Sequence, residues 1–399
     1  MTELDAQQIS HDNDDDSDFI EATVPPATPP AVNRVVAVQK QTRPWHKPRK
    51  QFVRRAWSHH IRTLMRTLHT PADAVPVFRY LTLAGPDMLD IRHLEEVTTK
   101  TGFKIKYIGF SPRGSRDEAE IMLTQNQMRS YDWIHRNSET LWYRLEDIAA
   151  GERSAALREV ESHGPYHAIN FDLCQNIVQV RPGSPSVLDA LIKLISFQSA
   201  KSTEPWLLFI TTKIEPLNTP DVKVSEFLQA IIQNMGASAD FAQEFMQLCE
   251  AEKVASDIVL TDPKQLPTDA FVKFFCLGLT KWLIGHMCTA YPVIELTMQG
   301  SHIYSVEPDT KDMLSLVYKC QPIIRAPAAT TSVKSPQEIE VASGLIAIQR
   351  TTTLCDIDLK IKDEPDLLAG LTHETHNLLR SANYANELIS LAVETGNKV

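Results

Sequence analysis

The sequence predicts an α/β fold built on a mostly parallel β-sheet with helices on both faces. Between residues 77 and 214, short apolar runs typical of buried strands alternate with amphipathic stretches typical of helices. This alternation is the pattern of parallel strands joined by right-handed helical crossovers. The chain has 399 residues, of which 43% are apolar and 23% charged, so it can bury the core of one large domain or two smaller ones.

The amino-terminal region divides into an acidic part and a basic part. Residues 1–33 contain eight acidic residues and no Lys or Arg, whereas residues 40–66 contain nine Lys or Arg and no acid. The acidic part also carries four prolines, and such a composition cannot bury enough apolar surface to offset the entropy of ordering. We therefore predict that residues 1–40 are a disordered acidic, proline-rich tail.

We assign residues 41–325 to the sheet domain. A helix is predicted from about residue 51, and another over 88–100 with Asp87 as its N-cap. Further helices are predicted after a capping box formed by Ser115 and Glu118, and from Ser184-Pro185 onwards. The five predicted strands cover residues 77–83, 103–110, 141–148, 166–174 and 206–214.

The pattern changes after the fifth strand. Three consecutive helices at 222–235, 240–253 and 269–290 predict a helical insertion over about 217–290, and strands return near 291–306 and 313–320. The segment 271–288 is very apolar but carries Lys273, Lys281 and His286, which favours a buried helix over a membrane span. Residues 336–399 predict a small C-terminal extension with a short strand and two amphipathic helices.

Polar residues and turns mark the carboxyl ends of the predicted strands, where open parallel sheets bind ligands. The candidate cofactor-binding residues follow strands one, two and three: Leu83, Ala84, Gly85, Pro86, Asp87, Phe110, Ser111, Glu146 and Asp147. Asp172 follows the apolar fourth strand, where a carboxylate without a partner or solvent is costly, and is the candidate catalytic residue. Asp147 is equally compatible with a surface acid or a helix cap.

The order of these strand ends resembles the Rossmann-like methyltransferases that use S-adenosylmethionine. The resemblance covers about residues 78–214, with the closing strands at about 294–320. Gly85 matches the glycine turn that faces the cofactor, Asp147 the acid near the adenine, and Asp172 the acid after strand four. The resemblance implies S-adenosylmethionine as cofactor, and it implies that Asp172 orients or deprotonates a methyl acceptor.

More narrowly, "PWHKPRKQ", "INFDLC" and "FITTKI" resemble uncharacterised bacterial methyltransferase-like proteins, including relatives of the three-Cys-motif partner proteins. The turn departs from the usual acid-x-Gly-x-Gly-x-Gly, because the stretch from Thr82 to Asp87 holds one glycine and one proline. Gly85-Pro86 therefore fits a plain turn as well as a cofactor-facing loop. The alternative function is a catalytically inactive Rossmann-like interaction or nucleic-acid-binding subunit of a bacterial multi-gene system, such as phage defence.

The basic segment upstream of the first strand is a candidate nucleic-acid contact. Cationic side chains supply sequence-independent affinity for phosphates, and the aromatic residues among them can stack on bases. The residues proposed for this role are Lys47, Arg49, Lys50, Arg54 and Arg55. Three other interpretations remain open: a solvated helix face, a partner for the acidic tail, or a lid over the cofactor pocket.

The remaining sequence features favour a cytoplasmic protein without a metal centre. The six cysteines show no CxxC spacing, so we expect reduced core cysteines. The N-terminus lacks the apolar region of a signal peptide. His373 and His376 have the spacing H-x-x-H, but no third ligand lies nearby in sequence, and we expect both on the surface.

Overall fold

The structure is a computed structural model, and it describes residues 40–69, 74–306, 311–324 and 334–394, with side chains described to residue 392. The predicted acidic tail lies outside the described residues, apart from Lys40. Most of the predicted linker between the sheet domain and the C-terminal extension also lies outside them. Lys40–Val399 form one compact unit.

The unit is built on one eight-stranded sheet with the strand order β3-β2-β1-β4-β5-β7-β6-β8. Strands β1 to β5 pair in parallel, β7 runs antiparallel between β5 and β6, and β8 pairs in parallel with β6. The strands are β1 (Val77–Leu83), β2 (Lys104–Phe110), β3 (Glu139–Leu141), β4 (Ala168–Asp172), β5 (Trp206–Lys213), β6 (Ile294–Tyr304), β7 (Met313–Pro322) and β8 (Cys355–Asp356). This confirms the predicted α/β fold with a mostly parallel sheet.

Fourteen α-helices and four short 3₁₀ helices accompany the sheet in the described part of the chain. The helices before the fifth strand are α1 (Pro48–Met65), α2 (Leu89–Arg92), α3 (Glu95–Thr101), α4 (Glu118–Arg129), α5 (Ala155–His163) and α6 (Val187–Lys201). The helices after it are α7 (Asp221–Ala237), α8 (Ala239–Ala251), α9 (Ser256–Thr261), α10 (Thr268–Cys288), α11 (Pro336–Thr352), α12 (Ile357–Asp363), α13 (Pro365–Ser381) and α14 (Asn386–Glu394).

Both faces of the sheet are buried, as the apolar strands predicted. Successive residues of a strand point to opposite faces, and Tyr80 and Leu81 of β1 accordingly belong to different apolar clusters. Residues of α5, α6, α7, α8, α10 and α11 share the cluster of Leu81. Residues of α1, α3, α4, α12 and α13 share the cluster of Tyr80. The predicted helices on both faces are therefore confirmed.

The prediction for the third strand was wrong over most of its length. Strand β3 covers only Glu139–Leu141, and Leu145–Ala149 forms a 3₁₀ helix instead. The Asp147 carboxylate accepts the backbone N–H of Arg144 at 2.8 Å, and the Asp147 N–H donates to the Arg144 carbonyl. Such a local side-chain-to-backbone hydrogen bond offers the backbone an alternative to strand pairing.

Three predicted helix starts were also wrong. Met88, with φ at 49°, occupies the N-cap position of α2 without a side-chain cap, and the segment 88–100 divides into α2 and α3. Helix α4 begins after Asp117, while the Glu118 carboxylate accepts the N–H of Gly114 rather than completing a capping box with Ser115. Helix α6 begins two residues later than the predicted Ser184-Pro185 start and is capped by Ser186.

The insertion and the C-terminal extension contain more helices than predicted. The insertion has the additional short helix α9, and the extension has four helices rather than two. The strand in the extension is only Cys355–Asp356, because the Asp356 side chain accepts the N–H of Leu359 and starts α12. The extension also packs on the basic helix, since α13 contacts α1.

Helix α10 is, within the described residues, the one helix long and apolar enough to cross a membrane. In the structure 78% of its most apolar window is buried inside the protein. The predicted buried helix is thus confirmed, and its apolar surface belongs to the core between α7, α11 and the sheet.

Candidate functional site

A cavity of about 720 Å³ lies at the carboxyl ends of the parallel strands. Its volume falls within the usual range of about 300–1,000 Å³ for small-molecule sites. The predicted residues that line it are Leu83, Ala84, Gly85, Pro86, Asp87, Phe110, Ser111, Glu146, Asp172, Lys50 and Arg54. Asp147 does not line the cavity, because its carboxylate is turned to the backbone of its own 3₁₀ helix. The structure therefore brings together most of the residues that the strand-end argument selected.

The turn after β1 leaves open space where a side chain would normally project. The N–H of Ala84 donates to the Phe110 carbonyl at 3.0 Å, and the N–H of Met88 donates to the Gly85 carbonyl at 3.1 Å. A Cβ placed on Gly85 would meet no atom within 4 Å, and Gly85 is not among the residues with positive φ. Neither the backbone conformation nor protein packing requires glycine there, so the open space belongs to the cavity.

Asp87 connects this turn to both ends of the described chain. Its buried carboxylate accepts hydrogen bonds from Lys40 at 2.6 Å and from Tyr384 at 2.9 Å, and it contacts His46 Nε2 at 3.2 Å. Burial by itself raises the pKa of this carboxyl, but the hydrogen bonds and charges of His46 and Lys40 lower it to about 2. Asp87 therefore remains ionised and holds the segment before α1 and the segment after α13 against the turn.

The neighbours of His46 fix which ring nitrogen carries the proton. Nδ1 lies 3.1 Å from the backbone N of Arg43 and accepts its N–H, so Nε2 carries the hydrogen that faces Asp87. Burial lowers the pKa of His46, against the opposing effect of Asp87. A neutral imidazole therefore donates to the carboxylate near neutral pH.

Asp172, the predicted catalytic residue, forms an ion pair with Lys50 of α1. The Lys50 ammonium also lies over the rings of Trp57 and Tyr304, at 4.7 and 6.0 Å from their centroids. Burial lowers the pKa of Lys50, while the adjacent Asp172 raises it. The acid at the end of β4 is therefore neutralised in the structure by a cation that the fold brings from upstream of β1.

The sequence argument missed Asp90, a half-buried carboxyl group that also lines the cavity. Its Oδ2 accepts hydrogen bonds from Thr82 at 2.7 Å and Tyr80 at 3.1 Å, and the Tyr80 hydroxyl in turn accepts from Asn170 Nδ2 at 2.8 Å. Burial raises the pKa of Asp90. The sequence held one indication of this group, because Thr82 is a polar residue between Leu81 and Leu83 of the strand.

The interpretation of the basic segment as an exposed surface was wrong for three of its members. Arg49, Lys50 and Arg54 are only 6%, 4% and 3% exposed, and Arg49 forms an ion pair with Asp358 of α12. Buried guanidinium and ammonium groups cannot lie against an external phosphate backbone. The same burial excludes a solvated helix face for these residues.

The two more exposed members of the basic segment also have partners inside the protein. Arg55 makes a double hydrogen bond to the Glu374 carboxylate of α13, and the Lys47 ammonium donates to the Val306 carbonyl at 2.9 Å. Trp45, Lys50 and Arg54 line the cavity, as the lid interpretation requires. The basic segment thus forms one wall of the cavity.

The described residues hold no group of three His, Cys, Asp or Glu side chains placed to bind a metal ion. The six cysteines are free, and most of them are buried.

A protein-family model described as PP_RS20740-like matches residues 39–391. The chain belongs to this family. The match spans the sheet, the helical insertion and nearly all of the C-terminal extension, so the PP_RS20740-like unit includes every element that borders the cavity.

Comparisons with curated proteins and with solved structures gave the following results. No curated protein matches the PP_RS20740-like chain. A solved structure from Listeria monocytogenes, provisionally assigned as a class I S-adenosylmethionine-dependent methyltransferase, is 10% identical to it. The match covers 75% of this chain and 70% of that chain, with a TM-score of 0.30. A TM-score this low carries no argument about function.

Proposed function

We propose that the chain is a cytoplasmic methyltransferase-like protein that binds S-adenosylmethionine in the cavity and transfers a methyl group to an acceptor. The observation that carries this proposal is the open space at Gly85, in the first turn of the sheet and on the wall of the cavity. Close approach of a ligand to the backbone is one of the reasons for a glycine, and it is the one that fits a glycine on a cavity wall. The free cysteines agree with a reducing compartment.

The residues around the cavity suit the two ends of such a ligand differently. The turn 83–87, Ser111 and Glu146 would hold the nucleoside part, since they follow β1, β2 and β3 on one side of the cavity. Once bound, the sulfonium of S-adenosylmethionine supplies an electrophilic methyl group. Asp172 is the last residue of β4, where it would orient the acceptor or take its proton.

The Lys50–Asp172 ion pair sets a condition for this chemistry. As long as the Lys50 ammonium holds the carboxylate, one oxygen of Asp172 is engaged and unavailable to another group. An acceptor that displaces Lys50 would free Asp172. Because the Lys50 side chain is only 5% exposed, the displaced ammonium needs a new partner from the acceptor.

The same ion pair favours a second candidate function, a ligand-binding module without catalysis. In that case Asp172 would serve as a structural anchor for α1, and the cavity would take a nucleoside-type ligand as a signal or as structural support. Titration with S-adenosylmethionine shows whether the cavity binds this ligand. An assay of methyl transfer then distinguishes a methyltransferase from a binding module without catalysis.

The test of the proposed function is calorimetric titration with S-adenosylmethionine and with S-adenosylhomocysteine. We expect the wild type to bind both, and Gly85→Ala to bind them about tenfold or more weakly, because the added methyl enters ligand space. Gly151→Ala is the matched control, since its added Cβ also meets no atom within 4 Å and Gly151 does not line the cavity.

Gly85→Ala should unfold at the same temperature as the wild type, because no protein atom opposes the new Cβ. The absence of heat with either ligand for the wild type, at millimolar concentration, would rule out the proposed function. Equal affinity of Gly85→Ala and the wild type would show that the ligand does not approach this turn.

A further inference from the structure

One wall of the cavity holds an arginine whose charge has few hydrogen-bond partners. Arg54 lies on α1, one turn after Lys50, lines the cavity and is 3% exposed. Its Nη2 donates to the Trp45 carbonyl at 2.9 Å, whereas Nε and Nη1 have no partner among the described residues. A buried charge without hydrogen bonds is costly, so proteins seldom retain one without a purpose.

The acids around Arg54 do not supply the missing partners. The charges of Asp87, Asp90 and Asp172 all act on Arg54. Each of these carboxyl groups, however, accepts its hydrogen bonds from other residues, as described above. The guanidinium therefore lies among acids in the structure without a hydrogen-bonded counterion of its own.

The cavity also carries two exposed arginines, Arg144 and Arg181. Neither forms an ion pair with a residue that the structure describes. Exposed cations beside a cavity raise the local concentration of anions. A ligand that carries an anionic group would thus be attracted at the surface and compensated at Arg54.

We propose that Arg54 binds an oxyanion, a carboxylate or a phosphate, carried by the molecule that accepts the methyl group. Guanidinium is the side chain best suited to both groups because of its planar, permanently charged donors. The assignment of this oxyanion to the methyl acceptor rests on the proposed function. The oxyanion site itself rests only on the burial and hydrogen bonding of Arg54. Its position among Asp90, Asp172 and Tyr304 places it beside the end of β4, where the acceptor would lie.

The experiment titrates the wild type, Arg54→Met and the control Arg153→Met with inorganic phosphate and with acetate, without cofactor and at constant ionic strength. We expect saturable binding by the wild type and about 10- to 100-fold weaker binding by Arg54→Met, the range for losing a charge-assisted hydrogen bond. Arg153 is exposed and does not line the cavity, so Arg153→Met should bind like the wild type. The better of the two probes indicates whether the acceptor carries a phosphate or a carboxylate.

Stability distinguishes an oxyanion site from a structural arginine. Without ligand, Arg54→Met should unfold at or above the wild-type temperature, since it removes a buried charge with two unbonded nitrogens. Arg92→Met is the contrasting variant, because Arg92 is 5% exposed with hydrogen bonds to four different residues, and it should unfold at a lower temperature. If Arg54→Met fails to fold, Arg54→Lys keeps the charge and should still bind phosphate or acetate several-fold more weakly.

Equal binding of the probes by the wild type and by either Arg54 variant would overturn the proposal and leave an adventitious ion only. S-adenosylmethionine itself carries a carboxylate, so it is titrated as a separate arm. If Arg54→Met changes the dissociation constant of S-adenosylmethionine by less than about twofold, Arg54 serves the acceptor, as proposed. If S-adenosylmethionine binding weakens as much as phosphate or acetate binding does, Arg54 binds the cofactor and the proposal is overturned. If neither the wild type nor any of the variants binds S-adenosylmethionine, the proposed function fails. The phosphate and acetate titrations still decide whether Arg54 binds an oxyanion.

Discussion

Replacement of Asp87 by Asn tests whether this carboxylate ties both ends of the described chain to the first turn of the sheet. Asn has nearly the same shape but lacks the negative charge that Lys40 compensates and that accepts a hydrogen bond from His46. The pKa of Asp87 lies at about 2 instead of 3.8, and each pKa unit is worth about 1.36 kcal/mol, so the interaction with the ionised form amounts to about 2 kcal/mol. Solvent screens these interactions little, because the Asp87 side chain is only 1% exposed.

The pH dependence of this contribution follows from the direction of the shift. A carboxyl group with a lowered pKa stabilises the folded state above its unfolded pKa, and the stabilisation disappears as the pH falls toward the folded pKa. We therefore expect Asp87→Asn to lower the free energy of unfolding by about 2 kcal/mol at pH 7. The difference from the wild type should narrow as the pH falls from about 5 toward 2.

The assay is urea denaturation followed by tryptophan fluorescence at several pH values. Asp363→Asn is the control, since Asp363 is exposed and forms no ion pair with a described residue, and its effect should stay within about 0.5 kcal/mol. A double-mutant cycle with Tyr384→Phe should give a coupling energy of about 1 kcal/mol or more, because the hydroxyl donates to the same carboxylate. A stability of Asp87→Asn equal to that of the wild type at pH 7, or a difference that does not depend on pH, would refute the reasoning.

Two further predictions concern the elements that position the site. Gly109→Ala should lower the free energy of unfolding by about 1–3 kcal/mol in the same assay, because its Cβ would lie 2.7 Å from the Cβ of Ala84 and 3.3 Å from Thr140 Oγ1; unchanged stability would contradict this close packing. Ser186→Ala should cost about 1 kcal/mol through the loss of the α6 N-cap, whereas Ser184→Ala at the exposed position first assigned as the helix start should have no measurable effect, and equal effects of the two would argue against the observed cap.

The strands and the general position of the site followed from the sequence because each depends on local pattern. The runs that became β1, β2, β4 and β5 are rich in apolar residues and most of their positions are buried, which fits strands covered on both faces. Their carboxyl ends meet at one edge for topological reasons, so Gly85 and Asp172 could be placed at one cavity before any contact was known.

The wrong predictions concern side chains that can form hydrogen bonds with either local or distant partners. Asp is a residue type favoured at helix N-caps, but the Asp87 carboxylate accepts hydrogen bonds from Lys40 and Tyr384, which are far from it in the chain. Asp147 was assigned to a strand end, yet its carboxylate bonds to the backbone three residues earlier. Propensity alone cannot rank such alternatives, because the partner's position is set by packing elsewhere.

The basic segment is the clearest case of a property that tertiary structure decided. Nine cations without an acid between residues 40 and 66 were compatible with a nucleic-acid contact, a solvated helix face, a partner for the acidic tail or a lid over the cavity. In the fold, acids from β4, α12 and α13 reach α1, so Lys50 pairs with Asp172 and Arg55 with Glu374. The counterions lie up to about 320 residues away in sequence, where no local pattern could reveal them.

The sequence by itself determined the α/β class, the buried strands, the turn at Gly85 and the acid that follows β4, since these depend on periodicity and on residue type at strand ends. Only the tertiary structure decided that α1 forms one wall of the cavity, that α13 packs against α1, and that Lys50 neutralises Asp172. It also decided that Arg54 faces this site without a hydrogen-bonded counterion. The physical reason is that apolar burial is encoded locally along each element, whereas the pairing of buried charges depends on which distant elements the folded core brings together.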